Sequence, residues 1–289
     1  MVVGIILALL AAIFWGSINV PVLKLKESSF IINTFSTTAA FLIAFAVYFV
    51  TLPVIKVETF IYGLISGILW SIASTLVLMS MKKIGIGKVA AITASTQIII
   101  ASVFGILIFN EIINKGLTNL FVASLGILFV IIGIYTVSSI NEKKNDKFNK
   151  TGLILAFISG IVFSFHILPI RFAQADPLAI ILPMTFGMCS TAWILVILIE
   201  KEVKTTLLAI KRSMFSGSIW LIGNYLDFFA ISMIGLAKGF SLGQLLVLVS
   251  TLWSVFYFRE FMKKRNILLL MISAVIIILG AVLLAFAKT

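Results

Sequence analysis

The sequence predicts an all-α integral membrane protein of ten transmembrane helices arranged as two inverted five-helix repeats. Three observations lead there. The composition is 62% hydrophobic and only 11% charged, far from the balance of a soluble domain. The apolar residues come in blocks of about 20, the length that a helix needs to cross a hydrocarbon core of roughly 30 Å. The second half of the chain repeats the first at a nearly constant offset.

The spans fall near residues 4–23, 30–52, 60–81, 87–109, 118–139, 152–171, 177–200, 213–234, 239–258 and 266–287. Short connectors between them hold most of the charge, among them Lys24 to Glu27, Lys82 and Lys83, and Arg259 to Arg265. The polar run 141–150 (NEKKNDKFNK) cannot sit in lipid and reads as a solvated link between a first repeat, 1–140, and a second, 151–289. The first span lacks the basic n-region of a signal peptide and has a counterpart later in the chain, so it reads as a retained helix.

A formal charge of +12 on one patch of a soluble fold would suggest nucleic acid, but here the basic residues are spread over loops, which excludes that partner and points to a lipid bilayer. Of the 22 Lys and Arg, 17 lie on the side of the connectors after spans 1, 3, 5, 7 and 9, counting Lys88 at the start of span 4. The positive-inside rule then puts both termini outside a cell (plasma) membrane. The single Cys189 offers neither a disulfide nor a metal cluster, and no G-x-x-x-x-G-K-[ST] nucleotide loop is present, so no cofactor or metal is expected. One His, one Cys and one mid-span Asp make no catalytic constellation, so an enzyme is not expected either.

The repeat is clearest where GIILALLAAIFWGSINVPVLK, Gly4 to Lys24, lies on GLILAFISGIVFSFHILPIRF, Gly152 to Phe172, at an offset of 148 that pairs Gly4 with Gly152 and Pro21 with Pro169. An offset of 150 pairs Trp70 with Trp220, Gly85 with Gly235 and Lys88 with Lys238, and one of 149 pairs Glu111 with Glu260. Five spans is an odd number, so the second half enters the bilayer the other way up. Two equivalent halves of this kind can expose a site between them to either side in turn, which predicts a carrier of small solutes with its site near the midplane.

The polar and aromatic residues within spans are the candidates for that site. Trp15 and Asn19 stand one turn apart in span 1, Trp220 and Asn224 in span 8, and a spacing of four sets each pair on one helix face. Trp70 is expected to face its repeat partner Trp220. Gln97 in span 4, with Thr93, Ser95 and Thr96, and Gln244 in span 9, with Ser241, should turn away from lipid. The alternative for these groups is ordinary hydrogen bonding between helices. His166 and Asp227 interrupt spans 6 and 8, and an ionisable group inside a membrane is a functional candidate by default. Each lies 14 residues beyond the start of its span, Gly152 or Ser213, so the two could meet at one level, Asp227 titrating during transport and His166 sharing its proton. Lys88 and Lys238 open spans 4 and 9 and Glu111 and Glu260 close them, positions that suit interface anchors or, alternatively, a gating ion pair.

On FWGS at Phe14 to Ser17, IGIGKVAAITASTQ running to VFGILIFNE at Glu111, IWLIGN at Ile219 to Asn224, and IGLAKGFSLGQLLVLVSTLW from Ile234 to Trp253 with FRE ending at Glu260, the chain resembles the drug/metabolite transporter superfamily. Within it the chain is similar to the glucose/ribose porter branch of sugar-uptake and rhamnose-transporter-like proteins. The resemblance implies a ten-helix fold with a central cavity and proton-coupled uptake of a monosaccharide such as glucose, ribose or rhamnose. A sugar has many hydroxyls and an apolar ring face, which amides and flat aromatic rings recognise together. Export of amino acids or other metabolites is the alternative, because the same fold serves it elsewhere in the superfamily.

Overall fold

The computed structural model describes residues 2–109, 116–140, 149–234, 242–261 and 263–288. Glu111, Lys238, Ser241 and most of the 141–150 link lie outside them. Among the described residues there is no strand. The helices are α1 (Val2–Ser17), α2 (Ser29–Thr51), α3 (Val57–Ile84), α4 (Ile86–Leu107), α5 (Leu117–Ser138), α6 (Lys150–Ala173), α7 (Pro177–Glu200), α8 (Leu207–Ile234), α9 (Leu246–Leu252), which runs on into a π-helical turn over Trp253–Tyr257, and α10 (Lys264–Lys288). Eight of these are long and apolar enough to cross a membrane, whereas Val2–Ser17 and Leu246–Tyr257 are shorter.

Two boundaries differ from the sequence expectation for clear reasons. Helix α1 stops at Ser17, not near residue 23, and the chain continues in turns held by Val20 N–H to Ser17 O and Val22 N–H to Asn19 O. Pro21, which has no N–H to give to Ser17 O and disfavours helical geometry at Val20, keeps the helix from resuming there. Helix α8 begins at Leu207, a turn and a half before the expected 213, because the Thr206 hydroxyl accepts from Ala209 N–H and caps it.

Packing is mainly between the halves. Helix α3 lies on α6 and α7, and α8 lies on α1 and α2; α4 touches α6 as α1 touches α9; α2–α7, α4–α9 and α5–α10 pair directly. Exchanging the halves, with each helix replaced by the one five places along, converts this set of contacts into itself. Single residues follow the same exchange. A Cβ on Gly4 would strike Ile234 and Met233, and one on Gly152 would strike Ile84 and Lys83. Likewise a Cβ on Gly67 would meet the Met184 carbonyl, and one on Gly217 the Ser36 carbonyl. Such close backbone approach needs glycine, the means by which membrane helices pack without a hydrophobic drive between them.

One apolar cluster gathers α4, α5, α9 and α10 around Ile92, Ile98, Val130, Leu270 and Ile277. A smaller one joins α2, α7 and α8 around Met184, Met188, Trp220 and Leu221, with Trp15 and Trp70 packed on it. Large apolar side chains such as Phe49, Leu128, Leu198, Phe215 and Leu279 stay exposed on the outer surface, where a lipid-facing protein needs them.

Replacing Gly67 or Gly217 with alanine should push α3 from α7 or α8 from α2 and destabilise the fold by about 1–3 kcal/mol. The check is thermal unfolding in detergent, and an unchanged melting temperature for both variants would refute this account of the packing.

Candidate functional site

Trp70 and Trp220 are each the fourteenth residue of a 28-residue helix, so both sit at mid-helix. Their ring centroids are 4.7 Å apart with planes at 54°, and Phe163 of α6 stands edge-on to Trp70 at 5.9 Å. Under this pair lies a cavity lined by Ile18, Asn19, Ser36, Thr37, Ala40, Trp70, Ser74, Leu78, Met188, Ser216, Gly217 and Trp220. None of these is charged, so the cavity suits a neutral ligand.

In this conformation its free volume is about 10 Å³, space for a single water molecule, against the several hundred Å³ (roughly 300 or more) typical of a ligand pocket. In this conformation the cavity is therefore too small for a sugar. The walls show why. Ser216 Oγ donates to Ile18 O at 2.6 Å and Ser36 Oγ to Ser213 O at 2.9 Å, tying α8 to the end of α1 and to α2.

Ser74 and Leu78 follow Trp70 toward Lys82, and Ser216 precedes Trp220 toward Thr206, so the cavity lies on the side of the tryptophan pair that faces the basic connectors. That end is clasped. Thr206 Oγ1 donates to Glu27 Oε1 at 2.9 Å and Lys82 Nζ donates to the Glu27 carbonyl, joining the α1–α2 connector to α3 and to the α7–α8 connector. Glu27's own backbone N–H, with help from Thr206 and Lys82, holds its carboxyl below the usual carboxylate range. A depressed pKa means that the ionised carboxyl strengthens the clasp at neutral pH and that this contribution is lost as the pH falls through the folded-state value, while the Lys82 bond to the Glu27 carbonyl does not depend on it.

A second link at this end was legible only as a helix-end acid. Glu260, beyond the π turn of α9, accepts from Ile86 N–H at 2.7 Å and Gly87 N–H at 3.3 Å and also from the Ser254 hydroxyl. It thus caps α4 from the other half. Gly85 makes room for the carboxylate: its φ is +85°, and a Cβ there would collide with Glu260. Burial pushes the Glu260 carboxyl up while these hydrogen bonds and Lys88 pull it back. Lys88 itself donates to Ile140 O and lies over the Phe261 ring.

Of the residues expected at the site, the cavity brings together Asn19, Trp70 and Trp220. Trp15 does not share a helix face with Asn19, because α1 has ended between them; its ring lies against Gly223 and Gly243, with Nε1 buried and without a hydrogen-bond partner among the described residues. Asn224 is turned to its own helix, donating to Trp220 O at 2.8 Å. Gln97 sits where α4 meets α6, its backbone carbonyl accepting from Ser164 Oγ at 3.5 Å, and Gln244 is buried in the turn before α9. Asp227 is 7% exposed, its Oδ1 has no hydrogen-bond partner among the described residues, and that oxygen lies near Gly243. His166 Nδ1 is 3.1 Å from Ser66 Oγ of α3. The two ionisable groups thus have different neighbours, and with α8 starting earlier they stand at the seventeenth residue of α6 and the twenty-first of α8.

Ser36, Thr37, Ser74 and Ser216 are cavity residues that the sequence reading passed over. Their signal was present: Ser74 and Ser216 are one turn from Trp70 and Trp220, and span 2 carries the run NTFSTT over 33–38.

Apolar helices from two halves enclosing a small uncharged, hydroxyl-lined cavity are the architecture of a multi-pass membrane transporter. The comparisons with known proteins agree with that class and narrow it. The chain belongs to the family described as sugar transport protein, which matches residues 6–287 and lies in the glucose/ribose porter branch of the drug/metabolite transporter superfamily. It is 31% identical to the glucose uptake protein GlcU of Bacillus subtilis (strain 168), over 99% of each chain. It is 30% identical to the probable glucose uptake protein GlcU of Priestia megaterium, again over 99% of each. A solved crystal structure aligns with 98% of this chain and 96% of its own at a TM-score of 0.64; with 12% identity, that likeness concerns the fold alone. These relatives are uptake proteins, not enzymes.

Replacing Glu260 with glutamine removes the charge that caps α4. The expected loss is about 1–3 kcal/mol, with faster amide hydrogen exchange at Ile86 and Gly87; unchanged exchange at both would show that α4 does not depend on this cap.

Proposed function

We propose that the protein is a secondary transporter that takes up a monosaccharide through the cell membrane by alternating access, driven by protons. The observation that carries this reading is the uncharged cavity at the Trp70–Trp220 pair, between the two halves and at the middle of their helices. Indole faces suit the apolar side of a sugar ring, and Asn19, Ser36, Thr37, Ser74 and Ser216 suit its hydroxyls. The names of the relatives favour glucose.

In this reading all ten helices cross the bilayer as inverted repeats, with both termini outside and the basic connectors in the cytoplasm. Helix α1, only 16 residues or roughly 24 Å long, completes its crossing through the turns after Ser17. Site-lining residues are Asn19, Trp70 and Trp220, with Trp15, Gln97, Asn224 and Gln244 around them as the cavity opens. Asp227 is the proton carrier, since an ionised carboxylate whose buried oxygen has no partner among the described residues costs several kcal/mol and protonation removes that cost.

The test is uptake of labelled glucose, ribose and rhamnose into proteoliposomes with and without an imposed proton gradient. Gradient-dependent accumulation of one sugar is expected. Trp220→Ala should reduce its uptake at least about tenfold, and Asp227→Asn should abolish accumulation while leaving equilibration. Equilibration alone in the unaltered protein would make it a facilitator, and no uptake of any sugar would remove sugars in favour of amino acids or other metabolites.

A further inference from the structure

The cavity occupies only one side of the Trp70–Trp220 pair. The contacts between helices recur when the halves are exchanged, so each wall residue has a counterpart on the other side. The offset of 150 carries Ser216 to Ser66 and Ser74 to Asn224, and the offset of 148 carries Ile18 to His166 and Thr37 to Thr185. The tryptophans exchange with each other.

This correspondence is visible as contact, not only as arithmetic. Ser216 Oγ reaches back to Ile18 O at 2.6 Å, and its counterpart Ser66 Oγ reaches His166 Nδ1 at 3.1 Å. Gly217 lies against the Ser36 carbonyl, and Gly67 lies against the Met184 carbonyl, again 150 and 148 apart. His166 joins the aromatic group through Phe163, with centroids 5.9 Å from both His166 and Trp70.

We propose that Ser66, His166 and Asn224 form a second half-site, on the face of the tryptophan pair away from the basic connectors, for the same neutral polyhydroxylated ligand. It rests on the transport reading above. The two half-sites differ in chemistry. At two exchanged positions Ile18 and Ser74 become His166 and Asn224, an imidazole and an amide that each donate and accept, while Asn19 becomes Ile167 and Ser36 becomes Met184. In the present conformation the half-site is closed, with Asn224 bonded to Trp220 O and His166 to Ser66. Those two polar partners are exchanged for sugar hydroxyls when it opens. His166 is thereby a ligand-binding group.

The experiment uses a protein with Cys189 replaced by serine and single cysteines introduced by Asn224→Cys, Ser66→Cys, Ser74→Cys or Ser216→Cys. Each is reconstituted and labelled from one face at a time with a membrane-impermeant thiol reagent. Asn224→Cys and Ser66→Cys are expected to label only from the face opposite the basic connectors, Ser74→Cys and Ser216→Cys only from the face that bears them. Saturating sugar is expected to abolish labelling on both sides. Labelling of the first pair from the same face as the second, or of the first pair from neither face while the second pair labels, overturns the proposal. The expected sidedness without protection by glucose, ribose or rhamnose supports the two-sided site and overturns the sugar reading instead. A separate His166→Gln variant should keep the sidedness and lose protection on its own side only; equal loss on both sides would mean that His166 acts through the fold.

Discussion

Inside a bilayer a polar group must find its partner within the protein, and this constraint shapes everything else in the structure. Many hydroxyls of the spans meet it within their own helix, as Thr37 does at Asn33 O and Thr185 at Ile181 O, and others by reaching across to the backbone of the other half. Thr34 donates to Ala192 O, Ser36 to Ser213 O, Ser80 to Gly152 O and Ser250 to Gly16 O. Such bonds require helices in near contact, and glycines at the crossings permit it. Within a half, Asn33 of α2 makes the same kind of link by donating to Ser71 O, Ser71 Oγ and Thr75 Oγ1 of α3.

A cavity can survive in such a bundle only where facing side chains hold helices apart. The tryptophan pair does this at the middle of α3 and α8, and the space beside it is small because hydroxyl-to-backbone bonds draw the walls together. The bonds that close the cavity are single, neutral and reversible. Glu27, Thr206 and Lys82, together with Glu260 where it caps α4, add charged contacts where the chain leaves the apolar zone, so opening at that end requires rearranging connectors as well as helices. The π turn over Trp253–Tyr257 lies next to this cap. It places Trp253 Nε1 on Ser17 Oγ at 2.9 Å, where α1 ends early.

The interrupted α1 and the uninterrupted α6 show how much a local residue can decide when its surroundings differ. Pro21 and Pro169 are repeat partners. The first stands after α1 has ended and keeps it from resuming, while the second is buried within α6, which runs on through it. Propensity is the same in both places, so tertiary packing supplies the difference. This is why the reading of Trp15 with Asn19 as one helix face did not hold and the reading of Trp70 against Trp220 did: the second depended on position in the middle of two long helices, where nothing breaks the period.

By itself the sequence determined the membrane class, the approximate place of the spans, the internal repeat and the family. Each of these is written in residue type and spacing along the chain, through apolar length, loop charge and recurrence at an offset near 150. What only the tertiary structure decided is which polar side chains share a space. Asn19, Ser36, Thr37, Ser74 and Ser216 converge from three helices and a turn, whereas Gln97, Asn224 and Gln244, equally conspicuous in the sequence, do not line that cavity. Helical spacing says which residues share a face. Which face meets which neighbour depends on the crossings at Gly67 and Gly217, and those are set by contacts about 120 to 180 residues apart along the chain.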